Sequence, residues 1–248
     1  MHHLVAYEES QDSAVLVNVA GLADESINVQ GDNIRVPRVF RNVGAVYGLG
    51  VNITQARLLA PSLRDLVNLD ISPLDVSAEP TARAPFLNLF DFPTLLVPGE
   101  NLRFQAAEDG VGLQISNGAV WLVDGPQTPV TGEIATVRVT AAITQVAEAW
   151  TAVPLTFDQE LPSGTYQLVG ARMIGATAKL CRFIIPGVAH RPGMIAYNAV
   201  GDAEDQVFRL GRLGVWAEFD NVQSLQAEIF AVAADAAQEG FLDIIKIS

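Results

Sequence analysis

One self-similarity constrains this chain of 248 residues more than any other feature. Residues 48–58 read GLGVNITQARL and residues 170–180 read GARMIGATAKL. Gly opens both, and Ala, a cation and Leu close both, 122 positions apart. The separation recurs. AVLVNVAGL (14–22) falls opposite TVRVTAAIT (136–144), two alternating apolar runs in phase, and GAVWLV (118–123) falls opposite GFLDII (240–245). VPGENLRFQAAE (97–108) falls opposite FDNVQSLQAEIF (219–230), with one residue of slippage. Solenoid repeats have periods of about 20–50 residues, so a period of half the chain points to a whole domain copied once. VDGPQTPVTGE (123–133), with two Pro and two Gly, lies at the midpoint and predicts a hinge. The expected domains are therefore 1–125 and 126–248.

Both halves read as β structure. VLVNVAGL (15–22), INVQGDNIRVPRVF (27–40), AVYGLGVNI (45–53), ENLRFQAAE (100–108), VGLQIS (111–116) and AVWLV (119–123) alternate or run apolar at strand length. ATVRVTAAI (135–143), TAVPLTF (151–157), TYQLVGARMI (165–174), AKLCRFIIP (178–186), QVFRLGRLGVWAEF (206–219), LQAEIFAVAA (225–234) and FLDIIKI (241–247) do the same in the second half. Turn clusters such as QGDN (30–33), EDGVG (108–112) and LPSGT (161–165) separate them, the pattern of a sandwich or barrel. One short helix is predicted at APSLRDLVNL (60–69), opened by Pro and Ser. The Ala-rich run 224–238 suits a helix by composition but reads as strand, because its repeat partner holds Pro98, Gly99 and Gly110. Residues 64–96, with Pro73, Pro80, Pro85 and Pro93, are expected to be an elaborated loop, with GVAHRPGMIAYNAVGDAED (187–205) as its counterpart.

Half of the residues are hydrophobic and only 17% are charged. That is an apolar chain, and it predicts surface buried between subunits. The formal charge of −13 argues against sequence-specific nucleic-acid binding, which needs clustered Lys and Arg. The cations, nearly all Arg, look scattered. No apolar stretch reaches the 18 or so residues of a membrane helix, and MHHLVAYEES lacks the basic start and apolar core of a signal peptide. Cys181 is the only cysteine, which excludes an intrachain disulfide and a cysteine zinc site.

No arrangement of residues predicts catalysis. GLGVNI (48–53) lacks the third Gly of a dinucleotide loop and reads as a tightly packed strand. No histidine pair has metal-ligand spacing; His2 and His3 are adjacent, and His190 reads as an exposed or interface loop residue. GDAEDQ gathers Asp202, Glu204 and Asp205 in one turn, oxygen donors that suit a structural Ca²⁺, although a solvated turn is the plainer reading. Asp91, between Phe90 and Phe92, reads as a salt bridge or a turn cap. No G-x-S-x-G elbow is present, and Cys181, inside KLCRFII, reads as buried and inert. No enzyme is expected.

The paired GLGVNITQARL and GARMIGATAKL stretches, the paired terminal runs AVWLV and FLDIIKI, and RLGVWAEF (212–219) give the chain a plan. It resembles the double jelly-roll major capsid proteins of tailless icosahedral viruses, in the compact form found in corticovirus-like, membrane-containing bacteriophages. The resemblance covers the whole chain in plan and rests on no diagnostic signature. It implies an all-β chain of two tandem eight-stranded jelly-roll sandwiches. It further implies homotrimers with six similar lobes, which pack with neighbouring capsomers into an icosahedral shell in the virion, assembled in the host cytoplasm. Penton or minor capsid proteins and an internal membrane are the other partners it implies. The acidic start MHHLVAYEESQD departs from the helix or basic arm that family members often carry, which puts membrane contact in question. Two other readings fit the same composition. One is a head-decoration, spike or tail-associated phage protein. The other is a carbohydrate-binding β-sandwich using Trp121, Trp150, Trp216 and Tyr197, for which core packing is the plainer account.

Overall fold

The computed structural model describes residues 1–64, 69–77, 86–197, 206–234 and 238–248. They form two compact units, Leu4–Pro126 and Gln127–Ser248, the second also holding Met1–His3. Both are nearly all β.

The first half contains β1 (His2–Gln11), β2 (Val17–Val19), β3 (Val29–Gln30), β4 (Asn33–Arg35), β5 (Asn42–Gly50) and β6 (Gln55–Leu59). It continues through β7 (Leu69–Ile71), β8 (Leu74–Asp75), β9 (Phe86–Asn88), β10 (Thr94–Leu95), β11 (Asn101–Ala107) and β12 (Gln114–Val123). One sheet runs β1-β12-β5-β10; the other runs β4-β11-β6-β7, with β2 also on β11 and β3 on β4. The second half contains β13 (Ala135–Ala141), β14 (Trp150–Pro154), β15 (Thr156–Phe157), β16 (Thr165–Ile174) and β17 (Ala178–Ile184). β18 (Gly193–Ile195), β19 (Ala217–Asp220), β20 (Gln226–Ala231) and β21 (Gln238–Lys246) complete it. Its sheets run β13-β21-β16-β19, with β15 on the outer edge of β13, and β14-β20-β17-β18. Numbering the principal strands of each unit from one to eight, both read 1-8-3-6 and 2-7-4-5. That is the connectivity of a jelly roll, in which consecutive strands alternate between two sheets except for the fourth and fifth, which pair with each other.

The sequence explains the central strands. β5 is buried along its whole length, and so is most of β12. Both faces are covered, so NVGAVYGLG and GAVWLV read as unbroken apolar runs, not as alternation. In the first unit the core centres on Phe104 of β11, with the Tyr7 ring stacked at 5.8 Å and the Tyr7 hydroxyl donating to Leu102 O at 2.9 Å. Gly118 pairs with Gly48 beneath that ring. A Cβ on Gly118 would meet Phe104 at 2.6 Å, so the glycine is there to let the sheet approach the aromatic. This is the packing role that GLG was expected to have.

The repeat holds for three of its four quoted pairs. GLGVNITQARL and GARMIGATAKL both cover the end of the third strand, a turn and the start of the fourth. GAVWLV and GFLDII both lie in the eighth strand, and the 97–108 and 219–230 stretches both contain the seventh. The fourth pairing fails: 14–22 holds β2, a second strand, whereas 136–144 lies on β13, a first strand. Alternating apolar runs resemble one another wherever they sit in a sandwich, so phase alone could not separate them. The spacing also drifts. Ala56 pairs with Ala106 and Ala178 with Ala231, equivalents that lie 122 and 125 positions apart.

Three further expectations are corrected, and one element was not foreseen: the terminal segment is the ten-residue first strand β1. The helix is described over Pro61–Arg64 (α1), with Leu63 buried, and Leu69, the last residue of its expected span, lies on β7. The 206–219 run, read as a strand, holds the 3-10 turn Gln206–Phe208 and reaches a strand only at Ala217. The 64–96 region is no plain loop where it is described. It supplies β7 to one sheet, and β8, β9 and β10 successively line one edge of β5. Likewise 187–197 contains β18, the fifth strand of its unit.

Candidate functional site

The calcium candidates Asp202, Glu204 and Asp205 lie outside the described residues. Among the described residues no three His, Cys, Asp or Glu side chains gather as a metal would need. Asp91 stands exposed at the turn between β9 and β10, beside Phe92, which is 86% exposed. Cys181 is fully buried on β17, and burial pushes its thiol well above the ordinary range, which makes it a poor nucleophile.

Three of the four aromatic residues singled out for carbohydrate stacking are core residues. Trp121, Trp216 and Tyr197 are buried. Trp121 lies on β12 between two residues of the core cluster, so it projects from the opposite face. The Phe86 ring lies 6.2 Å from it. Half-buried Trp150 carries the Arg182 guanidinium 4.2 Å above its ring.

His190 is not a free loop residue. Its Nε2 bonds to Trp216 O at 2.8 Å. The same loop receives the chain terminus. His2 Nε2 lies 3.0 Å from both the amide nitrogen and the carbonyl of Gly193. The His2 ring meets Trp216 edge-on at 4.8 Å, and the Arg191 amide donates to His3 Nδ1 at 3.2 Å. Burial, reinforced by the neighbouring terminal ammonium, holds His2 well below its ordinary pKa, so it is neutral. The structure thus brings all three histidines to residues 190–193 and Trp216, as a clasp.

Three buried polar groupings escaped the sequence reading, because nothing in the order of residues marks a charge as buried. Asp243 on β21 accepts from Arg209 Nε at 2.6 Å and Nη2 at 2.9 Å, from the Leu210 amide at 2.9 Å and from the Thr136 hydroxyl at 2.7 Å. Burial alone would raise its pKa, but Arg209 and the other donors outweigh burial and hold it below the usual range. The same bonds fix Leu210 at φ 51°, a left-handed conformation that costs a residue with a side chain about 1–3 kcal/mol. Arg182, buried on β17, bonds Glu228 on β20 at 2.7 Å. In the first unit, Gln11 donates to Ser116 and Ser116 to Glu108 at 2.7 Å, and burial raises the Glu108 carboxyl despite the Ser116 bond. These groups hold strands together.

What the described surface does offer is apolar area and arginine. Val15, Val111 and Leu113 are exposed at one end of the first unit, where the Gly110 turn packs on Ala14. Val39, Phe92, Leu95 and Val97 are exposed elsewhere on the same unit. The cations are not scattered as expected: Arg35, Arg38 and Arg41 recur every third residue in RVPRVFR, a spacing that was there to be read.

No family model matches the chain, and no curated protein does. Two solved structures are similar over all of it. The major capsid protein P2 from bacteriophage PM2 is 12% identical, with 98% of that chain covered and a TM-score of 0.29. A chain of Sulfolobus turreted icosahedral virus is 10% identical, with 81% covered and a TM-score of 0.24.

Proposed function

We propose that this chain is a major capsid protein, built from two jelly-roll domains over 1–125 and 126–248 that arose by duplication. It acts by self-assembly as homotrimers in an icosahedral virion shell. The observation that carries this reading is the repeated strand order, 1-8-3-6 over 2-7-4-5, found once in each half of a single chain. A doubled domain lets three chains supply six similar units to one ring, and six-cornered rings tile a closed lattice with few kinds of contact. The low charge and the exposed Val, Leu and Phe side chains suit a protein whose surface is largely covered by its own copies. The buried ion pairs of the second domain and the Gln11–Ser116–Glu108 hydrogen bonds of the first serve the rigidity that a lattice subunit requires. Contacts with penton or minor capsid proteins, with an internal membrane, and Ca²⁺ at Asp202, Glu204 and Asp205 belong to the same proposal.

Sedimentation and negative-stain microscopy of the purified chain test it. Threefold particles with six lobes are expected, and shells at high concentration. A chain that stays monomeric across the soluble range would overturn the reading.

A further inference from the structure

Three free arginines and four of the exposed apolar residues of the first unit lie on two segments that meet at one edge. β10 is the last strand of its sheet, and its register places Thr94 against Val43 and Leu95 against Asn42. Beyond it the Leu96 amide donates to Arg41 O at 2.8 Å, and the Gly99 amide to Val36 O at 2.9 Å. Residues 35–41 therefore run beside residues 94–99. Leu96 is 1% exposed, whereas Leu95 and Val97 on either side are 60% and 58% exposed, so the edge turns one face inward and one outward. Val39 and Phe92, on the same two segments, are exposed as well. So are Arg38 and Arg41, and Arg35 where its strand passes to Asn101 of β11. Arg35 and Arg38 also line an open cleft of about 490 Å³ with Asn28, Pro37 and Pro98.

Three unpaired cations within seven residues set this edge apart, whereas the other exposed unpaired arginines among the described residues, Arg64 and Arg212, stand singly in the sequence. Arg57, Arg103, Arg138, Arg182, Arg191 and Arg209 each pair with an acid. Arg35, Arg38 and Arg41 form no ion pair among the described residues. Acids outnumber cations by 28 to 15, so most surface that an approaching copy could present is negative. Two copies carrying −13 each repel unless unlike charges meet at the contact. Arginine with exposed Phe, Leu and Val is also the composition of an interface centre, since guanidinium groups bind carboxylates while losing little hydration.

We propose that the edge formed by residues 35–41 and 92–97 is a docking surface for a second copy of this chain, with its arginines engaging carboxylates of the neighbour and Phe92, Leu95 and Val97 filling the apolar centre. The identity of the partner rests on the capsid reading; the existence of a docking face rests on the edge itself.

The test compares the full chain with Arg38→Glu/Arg41→Glu and, separately, Phe92→Ser/Leu95→Ser, by sedimentation velocity over a concentration series. All four side chains are exposed, so unchanged near-UV circular dichroism and thermal midpoint are the control for folding. Each double variant is expected to weaken self-association about tenfold or more. Molar salt should weaken the parent and leave the charge-reversed variant little changed. Variants that assemble like the parent would overturn this proposal and leave the capsid reading standing. A parent that is monomeric throughout would overturn both. A monomeric parent that floats with anionic phospholipid vesicles, and loses this in the Arg38→Glu/Arg41→Glu variant, would assign the edge to a lipid surface instead.

Discussion

Glu108 shows how a single residue can be held in its less comfortable state. It is 2% exposed on the end of β11, and its hydrogen-bond donor is the Ser116 hydroxyl, with no cation beside it. Burial raises its pKa, so the sign is fixed: its contribution to stability is fully present below the unfolded pKa and is lost as pH rises through the folded one. Glu108→Gln keeps an acceptor for Ser116 and removes the charge. At pH 8 the variant is expected to melt about 2–4 °C higher than the parent, the shift that about 1 kcal/mol produces in a chain of this size. The gap should close by pH 4. Thermal melts at both pH values check it, and a variant less stable at pH 8 would refute it. At this scale the sequence was legible wherever size and apolarity decide, as for Cys181 and Trp216. It was not legible for Glu108 or Asp243, whose burial depends on segments distant in sequence, such as Ser13 for the first and Thr136 for the second, being folded against them.

At the scale of elements, the approach of strands to the core is set by what glycine leaves out. Gly118 on β12 pairs with Gly48 on β5, and the Phe104 ring from the facing sheet occupies the space where a Gly118 Cβ would stand. Gly118→Ala forces the ring or the strand to move, and overpacking of this kind costs about 1–3 kcal/mol. Phe104→Leu in the same chain should recover part of that loss, because the smaller side chain leaves room. Denaturant titration of the two single variants and the double variant measures the coupling. Purely additive losses would mean that the glycine is needed for some other reason. Strands with long apolar runs, such as β5, β12, β16 and β21, could be read directly from sequence. β1 could not, since HHLVAYEESQ opens with two histidines that become buried only when they reach residues 190–193, far along the chain. The extra strands on β5 were hidden in a proline-rich stretch, because two- and three-residue strands owe their form to the edge they pair with and carry no period of their own.

For the whole molecule, the order of residues and the order of folding units part company at the start of the chain. Met1–His3 belong to the unit formed by Gln127–Ser248, although Leu4 onward belongs to the other. The likeness of the two halves could be read from the repeat, but this exchange could not, because three residues carry no pattern. His2 fastens the exchange, with its ring against Trp216 and its Nε2 on Gly193, and faces the terminal ammonium, His3 and His190. Its depressed pKa means that the unfolded chain binds the proton more readily than the folded one. The contribution of the clasp is therefore present above about pH 6.5, the value of a free imidazole, and falls as pH drops below it. The melting midpoint of the parent should decline between pH 7.5 and pH 5.5 more steeply than that of His2→Phe, which keeps a ring beside Trp216 and takes no proton. Deleting residues 1–3 should lower the pH 7.5 midpoint and flatten the decline in the same way. Equal slopes in the parent and in His2→Phe would show that the titration which loosens the molecule lies elsewhere, with His190 and its bond to Trp216 the next group to replace.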